Sequence, residues 1–111
     1  GRVLGNFMEE YDLILSPVLA KPPVKIGEID MSSPDIATYI ERLSSYSSFT
    51  GLYNQTGQPS ISLPLGFSNN DLPIGSMLTA KFGNDELLIS IASQIENAEP
   101  WADKKPPIYS N

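Results

Sequence analysis

The sequence predicts an α/β fold, a partial mixed β-sheet of about three strands covered by helices. Three observations predict it. Leu13-Ile14-Leu15 is a continuous apolar run closed by Ser16-Pro17, the pattern of a central strand buried on both faces. Ile61, Leu63 and Leu65 alternate with Ser60, Ser62 and Pro64, which is strand spacing by period two. Leu87, Leu88, Ile91, Ala92 and Ile95 recur at helical spacing behind Asn84, as a helix laid on a sheet requires.

The elements follow in chain order. Val3, Leu4, Phe7, Met8 and Tyr11 make a helical stripe, the tail of a helix running into Asp12 and the first strand. Residues of about 18–33 carry Pro22-Pro23 and Gly27 without periodicity and read as an irregular loop. Ser33-Pro34-Asp35 is a helix start, with Ser33 as the cap, Pro34 in the first turn and Asp35 at the positive dipole end. Ile36, Tyr39, Ile40, Leu43 and Tyr46 form the stripe of that helix. The serines at 44, 45, 47 and 48 compete for backbone partners and mark a break before a second short helix over Phe49 to Gln55. Gly57 ends that helix and Pro59 prevents its resumption.

In the next strand Pro64 implies a short run or a bulge. Ser68-Asn69-Asn70-Asp71 is a turn. Pro73 to Ala80 is the third strand, with Gly75 marking a close approach or a bulge. Asp85 and Glu86 occupy the first turn of the last helix, favourable to its dipole. A tail of about 99–111 is irregular, and Trp101 anchors it on the core.

Composition excludes several functions. The 111 residues hold thirteen acidic and seven basic side chains, a net charge of −6, so no cationic stripe awaits nucleic acid or an anionic membrane surface. With no Cys and no His, thiol nucleophiles, Ser-His-Asp triads and His- or Cys-based metal sites have no residues to use. The dispersed aspartates form no calcium loop, so neither metal nor cofactor is expected. No apolar run reaches the roughly 18–20 residues needed to span a bilayer. The expected setting is cytoplasmic. The start in mid-pattern at Gly1-Arg2-Val3-Leu4 suggests a piece of something longer.

Several stretches carry a family resemblance in the same order. Leu13-Ile14-Leu15-Ser16-Pro17 is similar to a "D-x-L-L-x-P" strand. Asn54-Gln55-Thr56-Gly57-Gln58-Pro59-Ser60-Ile61-Ser62-Leu63-Pro64-Leu65-Gly66, preceded by Thr50, resembles "T-x-x-x-N-x-[TS]-G-x-P-[AS]-[IV]-S-[VLI]-P-x-G". Leu72-Pro73-Ile74-Gly75 and then Asp85 to Trp101 look like the closing "P-[IV]-G" strand and "D-x-x-[LV]-[LI]…E…W" helix. Together these resemble the C-terminal portion of amidase-signature hydrolases, over most of Tyr11 to Trp101. Leu78 stands where the family often has Gln, and Tyr53 where many members are smaller.

The resemblance implies a C-terminal piece of a larger α/β/α fold that hydrolyses amide C–N bonds through a Ser nucleophile, a bridging Ser and a Lys. No Gly-Gly-Ser-Ser run is present in this sequence. Ser44-Ser45 and Ser47-Ser48 read as capping and surface hydroxyls, and Lys21, Lys25 and Lys81 as solvated side chains. The chain alone is therefore expected to be inactive, supplying strands, a covering helix and pocket wall. Phe49, Thr50, Tyr53 and Asn54 are the candidate substrate-binding residues. Asn54, Gly57, Pro59, Pro64, Gly66, Pro73 and Gly75 are the structural positions of the motif, with the Asn54 amide fixing the chain reversal. The substrate class is a small amide, either a cyclic or linear amide oligomer or that of a general amidase. A non-catalytic interaction domain and the C-terminal part of an amidotransferase subunit are the alternatives. The uncovered apolar faces predict a homo-oligomer.

Overall fold

Helix α1 (Arg2–Phe7) leads into strand β1 (Leu13–Pro17), then α2 (Ile36–Tyr46), α3 (Thr50–Thr56), β2 (Ser60–Phe67), β3 (Pro73–Ala80) and α4 (Asp85–Ala98). The computed structural model describes residues 1–106 and 108. Part of the expected irregular tail, including Pro107, lies outside them. The chain around Trp101 is irregular as expected, and Trp101 packs against the core.

The sheet order is β1-β3-β2. Both pairings are antiparallel, with Leu15 opposite Leu78 and Ile61 opposite Leu78. Within this chain the sheet is therefore antiparallel rather than mixed, and β1 is an edge strand rather than the central one. Its apolar run suggested burial on both faces, yet Leu15 is 70% exposed. The central place belongs to β3, whose Met77, Leu78, Thr79 and Ala80 are all buried. Thr79 disguised that burial in the sequence. Its hydroxyl is satisfied by Ser60 Oγ at 2.7 Å, so a polar side chain sits at the sheet centre without an orphaned donor.

Alternation along β3 sends its side chains to two faces. Leu78 and Ala80, with Leu63 from β2, meet Leu88 of α4 in the core, and Leu13, Ile61, Ile91, Ala92 and Ile95 pack around them. Met77 and Thr79 point to the opposite face, where buried Tyr53 of α3 stands. The pairing breaks between Leu63 and Gly66, which puts the expected bulge at Pro64, a residue without an amide proton to give the ladder. Pro73 pairs with Phe67 where β3 begins. Gly75 is at a close approach: a Cβ there would lie 2.8 Å from Val18 Cγ2 and 2.9 Å from Ser62 Oγ.

Residues 18–35 form no helix or strand and are tied down by backbone groups. Ala20 N donates to Tyr46 O at 2.9 Å, and Arg42 Nη1 donates to Glu28 O at 2.9 Å. Helix α2 starts two residues later than Ser33 suggested. Its cap is Asp35, which accepts from Thr38 N at 3.1 Å and from Thr38 Oγ1 at 2.7 Å, while Ser33 Oγ instead accepts from Asp35 N. The carboxylate satisfies two donors of the first turn and completes the dipole, which a serine hydroxyl does less well. Asn84 stands at the cap of α4 without a side-chain bond, and Tyr11 lies beyond α1 but stacks on Phe7 at 4.6 Å.

The Thr38 hydroxyl, and then its amide, hold the Asp35 carboxyl below its ordinary range. A depressed folded value means the cap stabilises fully above the ordinary aspartate range and is lost as pH falls through the lower, folded value. Asp35→Ala is expected to remove this acid sensitivity and to shorten α2 at its start. Exchange of the Thr38 amide across acid pH measures it, and an unchanged profile in the variant would refute the assignment.

The Cα radius of gyration is 16.6 Å, against about 13 Å for a compact domain of this length. Val3, Leu15, Ile26, Met31, Ile36 and Phe82 are each more than two-thirds exposed. Exposed apolar surface and an unpaired sheet edge favour association. Light scattering at micromolar concentration is expected to show dimers or larger species, whereas a monomer that binds no hydrophobic dye would contradict this. No helix among the described residues is long and apolar enough to cross a membrane.

Candidate functional site

The face of the sheet opposite α4 carries an open groove of about 410 Å³. The local sequence builds it in three steps. Helix α3 ends at Gly57, whose left-handed φ of 82° lets its amide donate to Tyr53 O at 2.8 Å, a conformation that side chains with a Cβ resist. The chain then reverses through Gln58 and Pro59, and the Pro59 carbonyl accepts from Ala80 N at 3.1 Å. Strand β2 leaves from there, so α3 is held over β2 and β3 by its own exit.

Thr50, Tyr53 and Asn54 form the helical wall of the groove, and Gln58, Ser60 and Met77 form the opposing wall and floor, with Gly57 at the end. Three of the four candidate binding residues thus come together. Phe49 is half-buried at the start of α3 and does not line the groove. Asn54 differs from expectation, because its amide does not fix the reversal. It is exposed and hydrogen-bonds no described group, the turn being closed by the Gly57 backbone instead. Gln58, Ser60 and Met77 were not singled out from the sequence. Period two along β2 puts Ser60 on the face opposite Ile61 and Leu63, the signal that could have found it.

Hydrogen bonding divides the lining groups. Thr50 Oγ1 lies 3.1 Å from Ser47 Oγ, and Ser60 Oγ is paired with Thr79. Gln58 Oε1 is shielded from solvent and has no donor. None of the lining residues is charged, and no described group of three or more acidic, Cys or His side chains could hold a metal. The serine pairs cap and bridge backbone: Ser45 Oγ donates to Arg42 O and Ser48 Oγ to Ser44 O. Lys21 Nζ donates to Ser45 Oγ at 3.3 Å, which is the reverse of what a base must do to a nucleophile. Lys81 makes an exposed ion pair with Glu9.

A family profile described as Amidase matches residues 2–89, and the chain belongs to that family. It is similar to the amidase AmiC of Mycobacterium leprae, at 39% identity over 101 residues, 91% of this chain and 21% of AmiC. It is also similar to the 6-aminohexanoate-cyclic-dimer hydrolase of Paenarthrobacter ureafaciens, at 33% identity over 115 residues, 99% of this chain and 23% of that protein. A solved structure of 6-aminohexanoate cyclic dimer hydrolase superposes with a TM-score of 0.80 at 30% identity, over 93% of this chain and 23% of that one. The chain therefore spans about a fifth of the length of the curated relatives it matches, in their C-terminal part.

Proposed function

We propose that this chain is the C-terminal part of a serine-dependent hydrolase of amide C–N bonds, in which it supplies sheet, covering helix and one wall of the substrate groove. The observation that supports this reading is a coincidence of place. The stretch from Thr50 to Ser60, which carries the family pattern most densely, is the stretch that shapes the groove. The nucleophile, its proton acceptor and the oxyanion donors lie in residues outside this chain. The reaction proceeds through an acyl-enzyme, and amides of the kind handled by the cyclic-dimer hydrolases are its candidate substrates.

The test is kinetic. In an intact hydrolase carrying this segment, Asn54→Ala is expected to raise KM several-fold with little change in kcat, since an exposed side chain on a pocket wall contributes uniform binding. Circular dichroism should stay unchanged. An intact protein inactive on a panel of linear and cyclic amides would overturn the reading, and unaltered Asn54→Ala kinetics would remove the groove from it.

A further inference from the structure

We propose that Tyr53 determines the specificity of the groove, its ring fixing a floor that admits unbranched chains and rejects quaternary carbons. This role rests on the amide-hydrolase reading and adds to it the shape of the substituent beside the scissile amide. Burial of the lining groups is uneven. Asn54, Gly57 and Ser60 are exposed and Thr50 and Gln58 half-buried, whereas Tyr53 is 9% and Met77 4% exposed. The polar groups therefore form the rim, and the two large apolar side chains form the floor.

That floor is held from both sides. Met77 stands on the central strand between Ser16 of β1 and Ser62 of β2, so it is the tallest side chain of its row across the sheet. Tyr53 closes the floor from α3. Its carbonyl accepts from Gly57 N at 2.8 Å where the helix ends, and the helix start is tied by Thr50 Oγ1, 3.1 Å from Ser47 Oγ. A phenol ring is rigid and turns on only two torsions, so it has no pliable end to move aside. No described group hydrogen-bonds its hydroxyl, so packing rather than a polar anchor keeps the ring in place. A methylene chain lies along such a floor in van der Waals contact. A carbon bearing three methyl groups turns at least one of them into the floor however it rotates, and overfilling a site that does not shift is unfavourable.

The test uses an intact hydrolase carrying this segment and chromogenic anilides whose acyl chain ends in a tert-butyl group set progressively farther from the carbonyl. A mirrored series varies the amine. Each amide is compared with its unbranched counterpart, and the kcat/KM ratio is divided by the same ratio for alkaline hydrolysis, which removes intrinsic reactivity. At one or more distances the unmodified enzyme is expected to disfavour the branched amide by about tenfold or more, the scale of a methyl-sized misfit in an apolar pocket. Tyr53→Leu should bring that ratio close to unity. Tyr53→Phe, which keeps the ring, and Leu52→Ala, at an exposed position outside the groove, should preserve it. Tyr53→Met, with a pliable chain at the same place, repeats the measurement if the leucine variant fails to fold. No discrimination at any distance, discrimination that survives Tyr53→Leu, or its loss in Tyr53→Phe would each overturn the proposal and leave amide hydrolysis standing. An enzyme that cleaves none of the unbranched amides would instead overturn the hydrolase reading, and this role with it.

Discussion

Leu88→Ala is expected to destabilise the fold by about 2–5 kcal/mol, the range for emptying a buried leucine site. Leu88 is 4% exposed and is the one fully buried side chain of α4. It closes a small cluster with Leu63, Leu78 and Ala80. The remaining stripe residues of α4 are only half-buried, so little else holds the helix on the sheet. Domains of ordinary stability keep about 5–15 kcal/mol in hand, and this one has a modest core, so the variant should be largely unfolded at ambient temperature. Ile89, one position along and 66% exposed, provides the control. Its replacement by Ala should stay within about 0.5 kcal/mol. Urea midpoints of the two variants decide the matter, and equal shifts would mean that α4 is not docked as described.

The chain by itself should release no amine or ammonia from any amide above the buffer rate. Amide hydrolysis by a serine requires a positioned proton acceptor, worth roughly 10²–10⁴-fold, and oxyanion donors worth about 10²–10³-fold each. The nearest approach to such a set is Ser45 beside Lys21, and it is wrongly arranged. The serine proton is committed to the Arg42 carbonyl and the lysine is the donor of the pair. Turnover that is abolished by a serine-directed acylating reagent, or by Ser45→Ala, would show a nucleophile in a place this geometry does not provide.

Those contacts illustrate what the sequence discloses and what it withholds. Backbone-level signals were legible because their causes are local. Pro64 lacks an amide proton and Gly57 accepts a left-handed φ; the bulge and the helix end sit where those residues stand. The stripe of α4 was legible because one face meets one sheet. The order of the strands was not, because an apolar run records how much surface a strand buries and not which neighbour covers it. The cap of α2 moved from Ser33 to Asp35 because both can cap, and only the path of residues 18–35 chooses between them. For the groove, a sequence marks polar residues without telling which hydroxyls are already paired. That Thr79 is paired with Ser60, and that Gln58 Oε1 is shielded without a donor, therefore emerged only with the fold.

The placement of β3 between its neighbours also sets an order of assembly. Its pairing with β2 closes across the short turn at residues 68–72, where Ser68 Oγ accepts from the amides of Asn70 and Leu72. Its pairing with β1 must bring residue 15 to residue 78, across the whole of the irregular segment and two helices. Loop closure costs entropy that grows with the length enclosed, so the hairpin forms early and β1 arrives late, after most of the core exists. A strand that arrives last, on an open edge and with few contacts of its own, is also the first to leave. Amides of β1 should exchange with deuterium well before those of β3, and a protease should find residues 18–35 before it finds the hairpin. Slow steps in refolding would then report the return of the N-terminal strand rather than the formation of the groove, which is complete once α3, β2 and β3 have met.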